Sequence, residues 1–361
     1  MEFILVPYRN RLLESVCRGT LSYLLFNRWE KTVYRFLRSS GIMERIDLIH
    51  FASPVGYREP GWLWKLGKPY VWGPLGGMKT IPRCFLKAYP FPDRIKGAMK
   101  NAVNRLQFYC SRRVGHAMKQ SDVLIACTKE QRTMVNKRLR TNRCRYLPEN
   151  GLNFAKLSAV GTDSFLDKKY GTERVNILWV GTNCVRKMPR LLLDALASCR
   201  NSNFHCAFIG AGCSALKQFA EIEPLQTNCS FVDQLPREEV LRLYANAHLL
   251  VITSSMEANT TIVWEALENC VPVMTVDHCG MRDVIQDGVN GIKIPVSRYD
   301  LMRAEFARQL DRVFEAPAAL KALAKNIPKT ARQYSQEHRM DFFEQCYQDA
   351  LQAHKNHREQ H

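Results

Sequence analysis

The chain has 361 residues, 46% hydrophobic and 24% charged, which is enough to bury large cores and points to two domains rather than a fibrous or disordered polypeptide. Thirteen cysteines include no C-x-x-C pair and no zinc-finger spacing with histidine, so they read as buried or incidental thiols in a reducing compartment such as the cytosol. The formal net charge of +18 lies wholly in residues 1–150, where 28 Lys and Arg face 10 Asp and Glu, whereas residues 151–361 carry 24 of each.

A basic half beside a neutral one fits a surface that meets anionic lipid, a phosphate-bearing acceptor or nucleic acid, or a plain solubilising face. No nucleic-acid recognition motif accompanies the charge. The opening MEFILVPYRN is too short an apolar run for a signal sequence, and no stretch of about 18 apolar residues is free of charge, so no membrane span is expected. From Tyr8 to Ser40, Leu21, Leu24, Trp29 and Leu37 interleave with Arg28, Lys31, Arg35 and Arg38. That is the composition of a basic amphipathic helix, either lying in a membrane interface or facing a core.

Ile46 to Ala52 is predicted to be a buried strand and Pro69 to Trp72 a short one, leading into GPLGG at 73–77. Glycines after a strand admit close backbone approach to a ligand; a tight turn explains them equally. Pro82 to Pro92 reads as a loop, and Arg94 to Lys119 as a long basic helix. Asp122 to Thr128 is a strand, Lys129 to Leu139 a helix and Arg143 to Pro148 a strand, before an Asn-Gly turn at 150–151. The expected division is a first domain over 1–153, a linker over 154–173 with few large apolar residues, a second domain over 174–330 and a closing helical segment over 331–361.

The second domain is regular. Strands are predicted at Val175–Val180, Phe204–Gly210, Cys229–Val232, His248–Thr253 and Pro272–Val276. Helices alternate with them at Met188–Cys199, Ser214–Ala220, Glu238–Ala245 and Thr260–Asn269. This alternation gives a parallel sheet with right-handed crossovers, whose ligands bind at the carboxyl ends of the strands. The stretch from His248 to Asp283 carries the chemistry. Asn259, Thr260 or Thr261 opens the helix, whose first backbone N–H groups and macrodipole favour an anion. Glu257 precedes that positive end and Glu265 follows it, about two turns in, so the pair can hold hydroxyls on either side of a diphosphate. Two solvated surface carboxylates are the plain alternative.

The pattern E-x7-E in EANTTIVWE, followed by VPVMTV, CGMRDVI and DGVNGIKIP, resembles the donor-binding half of retaining family 4 glycosyltransferases. Its bacterial surface-polysaccharide members are similar also in YVWGPLGG. The resemblance implies an α/β chain of GT-B fold, with two Rossmann-like domains facing a cleft and the first abbreviated at its N-terminus. It implies that Glu257 contacts the donor sugar, Glu265 the nucleotide ribose and the Asn259, Thr260 and Thr261 amides the phosphates, with Gly76 and Gly77 edging the cleft. In WVGTNCVRKMP, Gly181 and Lys187 match the family's Gly and Lys, but Thr182 stands where its Arg belongs, so Arg186 is the candidate for the second cation. Lys187 and Glu257 are the expected catalytic pair. The family's active-site histidine has no clear match; His50 and His116 are candidates by location.

The implied reaction moves a sugar from a UDP- or GDP-type nucleotide sugar to a glycan or lipid-diphosphate-linked acceptor, with peripheral contact to an anionic membrane and no nucleic acid partner. The absence of D-x-D fits a site with no metal or other cofactor. The alternatives are another GT-B activity, such as a sugar epimerase or phosphorylase, or a non-catalytic subunit of a transferase pair.

Overall fold

In a computed structural model, residues 2–7, 22–52, 56–220, 224–258 and 260–359 are described. Two parallel sheets organise them, each in its own compact unit. The first unit comprises Met1–Lys79, Ala102–Glu149 and Met340–His361, the second Thr80–Asn101 and Asn150–Arg339.

In the first unit four strands, β1 (Ile49–Phe51), β2 (Tyr70–Leu75), β3 (Val123–Ala126) and β4 (Cys144–Tyr146), lie side by side in sequence order, all parallel. One face of the sheet is covered by aromatic and aliphatic side chains that include Trp72, Phe108, Val114 and Met118. The other meets Cys346 and Ala350 of the closing helix Gln336–Glu359. That helix belongs to this unit from Met340 onward. The strand expected from Ile46 begins only at Ile49; a 3-10 turn over Ile42–Arg45 precedes it, with Ile46 extended at the turn's end. Helix Ser22–Ser39 occupies part of the basic amphipathic stretch, whose portion over 8–21 lies outside the described residues.

The expected helix over 94–119 is two helices, Phe91–Cys110 and Arg112–Gln120. Ser111 between them is extended, and its side chain accepts a hydrogen bond from the Val114 amide at 3.3 Å, so a cap interrupts what the apolar spacing would continue. The boundary between the units falls inside the first of these helices, and residues 80–101 group with the second unit rather than the first.

The second unit holds β5 (Val175–Val180), β6 (Phe204–Ile209), β7 (Cys229–Val232), β8 (Leu249–Ile252), β9 (Val273–Val276) and β10 (Gly291–Ile294). Their spatial order is β10-β9-β8-β5-β6-β7, all parallel. The order reverses between β5 and β8, so the chain leaves those neighbouring strands in opposite directions and opens a crevice beyond their carboxyl ends. Trp179, Phe204, Phe208, Leu249 and Val273 are fully or almost fully buried, and each such side chain contributes roughly 1.5–3 kcal/mol of burial.

The stretch 154–173 is no bare linker. It forms helices Phe154–Val160 and Asp163–Tyr170, capped by the side chains of Asn153 and Thr162. Of its large apolar residues, Leu157, Leu166 and Tyr170 are buried and Phe154 and Phe165 are partly buried against the same core, and the Tyr170 hydroxyl donates to the Cys270 carbonyl at 2.7 Å. The helix expected over 214–220 is a 3-10 segment, Cys213–Phe219. Among the described residues no helix is long and apolar enough to cross a membrane.

Candidate active site

At the reversal of strand order, β5 and β8 pair through Ile177 with Leu249 and Leu178 with Leu250. The loops that follow them are tied together by polar contacts. Trp179 near the end of β5 donates its indole N–H to Thr253 Oγ1 at 3.0 Å, and that hydroxyl donates to the Lys187 carbonyl at 2.7 Å. The Ser255 amide and hydroxyl both reach the Arg186 carbonyl, at 2.9 and 3.0 Å. The Tyr89 hydroxyl hydrogen-bonds to Ser255 Oγ, and burial raises its pKa above the usual tyrosine range. These contacts hold the loop 181–188 against the loop after β8.

The side chains that result form one cluster. Lys187 Nζ lies 2.5 Å from Glu257 Oε1, and both side chains are only 13% exposed. Arg186 Nη1 reaches the same carboxylate oxygen and also donates to the Met256 carbonyl at 3.1 Å. Two cations therefore share one carboxylate, leaving a net positive charge at the crevice floor. Beside it, Thr260 is the N-cap of helix Thr261–Glu268 in extended conformation, and its side chain makes no capping bond. The helix's opening amides and dipole add to the attraction for an anion.

Glu265 is the fifth residue of that helix, one turn in rather than two, because the helix begins at Thr261. It does not share the Lys187 pair. Its Oε1 lies 3.2 Å from Arg237 Nη2. It also engages the Tyr244 hydroxyl, whose pKa is driven well up by burial and then by that neighbouring charge. Asn259 lies outside the described residues. Gly181 ends β5: its amide donates to the Ile209 carbonyl at 2.8 Å, and a side chain on it would touch Trp179 and Lys187. Gly210, at the equivalent place after β6, has φ +135°, and a Cβ there would stand 2.2 Å from the Gly181 carbonyl oxygen.

Gly76 and Gly77 lie in the first unit, just past β2. Gly77, with φ +84°, offers its carbonyl to Arg58 Nη2 at 3.2 Å, and the Gly76 carbonyl accepts from the Tyr57 amide at 3.3 Å. His50 is committed to structure, with its two ring nitrogens 2.9 Å from the Tyr347 hydroxyl and 2.8 Å from the Gly73 carbonyl; burial lowers its pKa. His116 is exposed on helix Arg112–Gln120. Thr253, Ser255, Arg237 and Tyr89 escape a reading of the sequence. Thr253 and Ser255 leave a trace, as hydroxyls directly after an apolar strand; Arg237 and Tyr89 are remote in sequence and leave none. Among the described residues no group of three or more His, Cys, Asp or Glu side chains is placed to hold a metal ion.

Comparison with known protein families matches residues 166–333 to the glycosyl transferases group 1 model. That stretch is a glycosyl transferases group 1 domain. It contains the Lys187 and Glu257 cluster and the strand reversal that frames it. The alpha-D-kanosaminyltransferase of Streptomyces kanamyceticus is 22% identical over 231 residues, which cover 61% of this chain and 58% of that relative. The chain thus spans less than two thirds of the relative's length. A glycosyltransferase from Rickettsia africae ESF-5 superposes with a TM-score of 0.63 at 15% identity, covering 92% of this chain and 83% of its own. WaaG, a glycosyltransferase involved in lipopolysaccharide biosynthesis, gives 0.56 at 19% identity over 86% and 81%. Anabaena HepE in complex with UDP-glucose gives 0.53 at 14% identity over 90% and 81%. The fold around the group 1 domain is thus the α/β, two-sheet GT-B type.

Proposed function

We propose that this protein is a retaining glycosyltransferase. It moves a sugar from a UDP- or GDP-sugar to a glycan or lipid-diphosphate-linked acceptor, without a metal, in the assembly of a surface polysaccharide at the inner face of the plasma membrane. The observation that carries the reading is the sharing of Glu257 by Lys187 and Arg186 at the strand reversal of a group 1 domain. A nucleotide diphosphate is a better partner for those cations than one carboxylate. When it enters, its phosphates take the two cations and the helix amides at Thr260 and Thr261. Glu257 is then released to hold sugar hydroxyls, and Glu265 faces the ribose.

In the reaction the bond between the anomeric carbon and the phosphate oxygen breaks, and one forms to the acceptor oxygen on the same face. The acceptor proton passes to the departing phosphate. Charge develops on the diphosphate, where a fixed lysine and helix-end dipoles act with greatest effect. The pairing of Arg186 with Glu257 supports its serving as the second cation that Thr182 cannot be. The UDP-glucose held by the Anabaena relative supports a uridine diphosphate donor, and the Streptomyces relative supports sugar transfer.

The test is transfer from radiolabelled UDP- and GDP-sugars to a lipid extract, with the anomeric configuration of the product read by proton NMR. Retention of the donor's configuration is expected. Inversion contradicts the mechanism, and free sugar or sugar phosphate as the sole product contradicts the transferase reading.

A further inference from the structure

We infer that the hollow along the free edge of β4 binds a small molecule carrying two or more phosphates. It measures about 910 Å³ and lies wholly in the first unit, between helix Lys129–Leu139, β4 and Phe342 of the closing helix. That is the size of a site for one small ligand. Arg132, Lys137, Arg140 and Arg145 line it, and no acidic residue does. The first three are exposed and stand in no ion pair among the described residues; Arg145 is paired with Asp349. At 3.6 residues per turn, Arg132, Lys137 and Arg140 fall within an arc of about 140° and extend over about 12 Å. Lys137 and Arg140 are one turn apart, where like charges repel. Cys144 lines the hollow at 2% exposure, and burial pushes its thiol up to about 12, so it supplies no counter-charge at neutral pH. On an ordinary solvated helix face such cations alternate with acids; here they meet on a concave wall that holds none.

Charge, shape and the state of the strand edge identify the occupant. Two phosphate monoesters carry about three to four negative charges at neutral pH, which matches the three unpaired cations with Arg145 on the strand side. The arginines offer planar forks that bind phosphate oxygens two at a time. Tyr146 and Phe342, both partly buried, give the same hollow an aromatic wall for the organic part of the ligand. Lys129 Nζ, 5.7 Å from the centre of the Tyr146 ring, adds a cation beside that wall. An acidic peptide would add as a further strand to β4, which is last in the sheet order. That edge is closed, because the Cys144 amide donates to Asn136 Oδ1 at 2.9 Å and Asn136 Nδ2 donates to the Cys144 carbonyl at 3.2 Å. A bilayer calls for apolar side chains that reach past the cations, and a nucleic-acid strand for a groove that tracks successive phosphates; a hollow with two recessed aromatic rings offers neither. No residue of the group 1 domain lines it, so the inference stands apart from the transferase reading.

The experiment is calorimetric titration of the full chain, at about 0.15 M salt, with sodium tripolyphosphate, ATP and GTP, and with inorganic phosphate for comparison. The variants are Arg132→Gln/Lys137→Gln and Lys137→Glu/Arg140→Glu in the hollow, all at exposed positions, with circular dichroism and melting to confirm the fold. Lys96→Glu/Lys100→Glu, exposed cations outside the hollow, changes the net charge as much as the second pair. Saturable binding of tripolyphosphate or of a nucleotide is expected, at least about tenfold tighter than that of inorganic phosphate and at least about tenfold weaker in both hollow pairs. It stays within about threefold of wild type in Lys96→Glu/Lys100→Glu and in Lys187→Ala. No saturable binding by the wild type, or an equal loss in Lys96→Glu/Lys100→Glu, overturns the proposal. So does binding abolished by Lys187→Ala, which puts the ligand in the crevice of the second unit instead. Binding of a single-stranded oligonucleotide or of phosphatidylglycerol vesicles that the hollow pairs weaken, without binding of tripolyphosphate or nucleotide, overturns it in favour of that partner. Loss of transfer in Lys187→Ala bears on the transferase reading alone.

Discussion

Replacing Lys187 by alanine separates the catalytic claim from mere stability. Lys187 and Arg186 both contact Glu257, so the variant leaves the carboxylate with one cation rather than none. Breaking a buried pair outright costs about 3–5 kcal/mol. With Arg186 retained, and itself 40% exposed, the loss of fold stability is expected to be smaller, about 1 kcal/mol. The reaction loses much more, because removing one fixed group aimed at developing charge lowers kcat by about 10²–10³, or roughly 2.7–4 kcal/mol. The assay follows nucleoside diphosphate released from the nucleotide sugar in the presence of acceptor, at saturating donor, beside thermal melting of the same samples. Lys187→Arg keeps the charge on a planar group of different shape and is expected to fall between the two. A folded Lys187→Ala protein with kcat within about threefold of wild type, far inside the expected loss, refutes the assignment of Lys187 to the departing diphosphate.

Glu265→Ala is expected to raise donor KM by about tenfold or more with kcat nearly unchanged, as for a charge-assisted hydrogen bond to the ribose kept through the reaction; steady-state kinetics over donor concentration checks it. Gly210→Ala drives a Cβ into the Gly181 carbonyl and is expected to cost about 3 kcal/mol in urea unfolding; an unshifted midpoint contradicts the close approach of those loops. Glu30, 2% exposed beside Glu59 and Arg113, has its pKa raised from 4.5 to about 7, first by burial. The folded state therefore binds more protons than the unfolded between those values, and this group's contribution to stability falls as pH rises through that window. Glu30→Gln is expected to flatten that slope and to be about 2 kcal/mol more stable than wild type at pH 8; parallel pH profiles of the two melting temperatures contradict this.

The second unit was legible because its strands are apolar runs of strand length punctuated by helical spacing. Cys229–Val232 and Val175–Val180 fall where the pattern places them. A period of two or 3.6 is a local property, and so is a glycine-ended strand such as Val175–Val180 with Gly181. The features that escaped are long-range or depend on a single polar side chain. Nothing local distinguishes Ser111 as a cap from an ordinary helix serine. Leu157, Leu166 and Tyr170 are too sparse to signal helices, yet each is buried. The sharing of Glu257 by two cations 70 or more residues away is set by which strands are neighbours, so the sequence could single out Lys187, Arg186 and Glu257 as candidates but not show that their side chains meet. The pairing of Glu265 with Arg237 was not readable either, because it joins two different helices.

The most direct test of the central claim is calorimetric titration of wild type, Lys187→Ala and Arg186→Ala with uridine and guanosine diphosphates, their monophosphates and their sugar conjugates. If the crevice grips a diphosphate through both cations, one nucleoside diphosphate binds the wild type well ahead of its monophosphate. Each substitution then weakens that binding by about tenfold or more while leaving the monophosphate nearly unaffected. Absence of binding by every nucleotide, or equal affinity for diphosphate across all three proteins, contradicts the account.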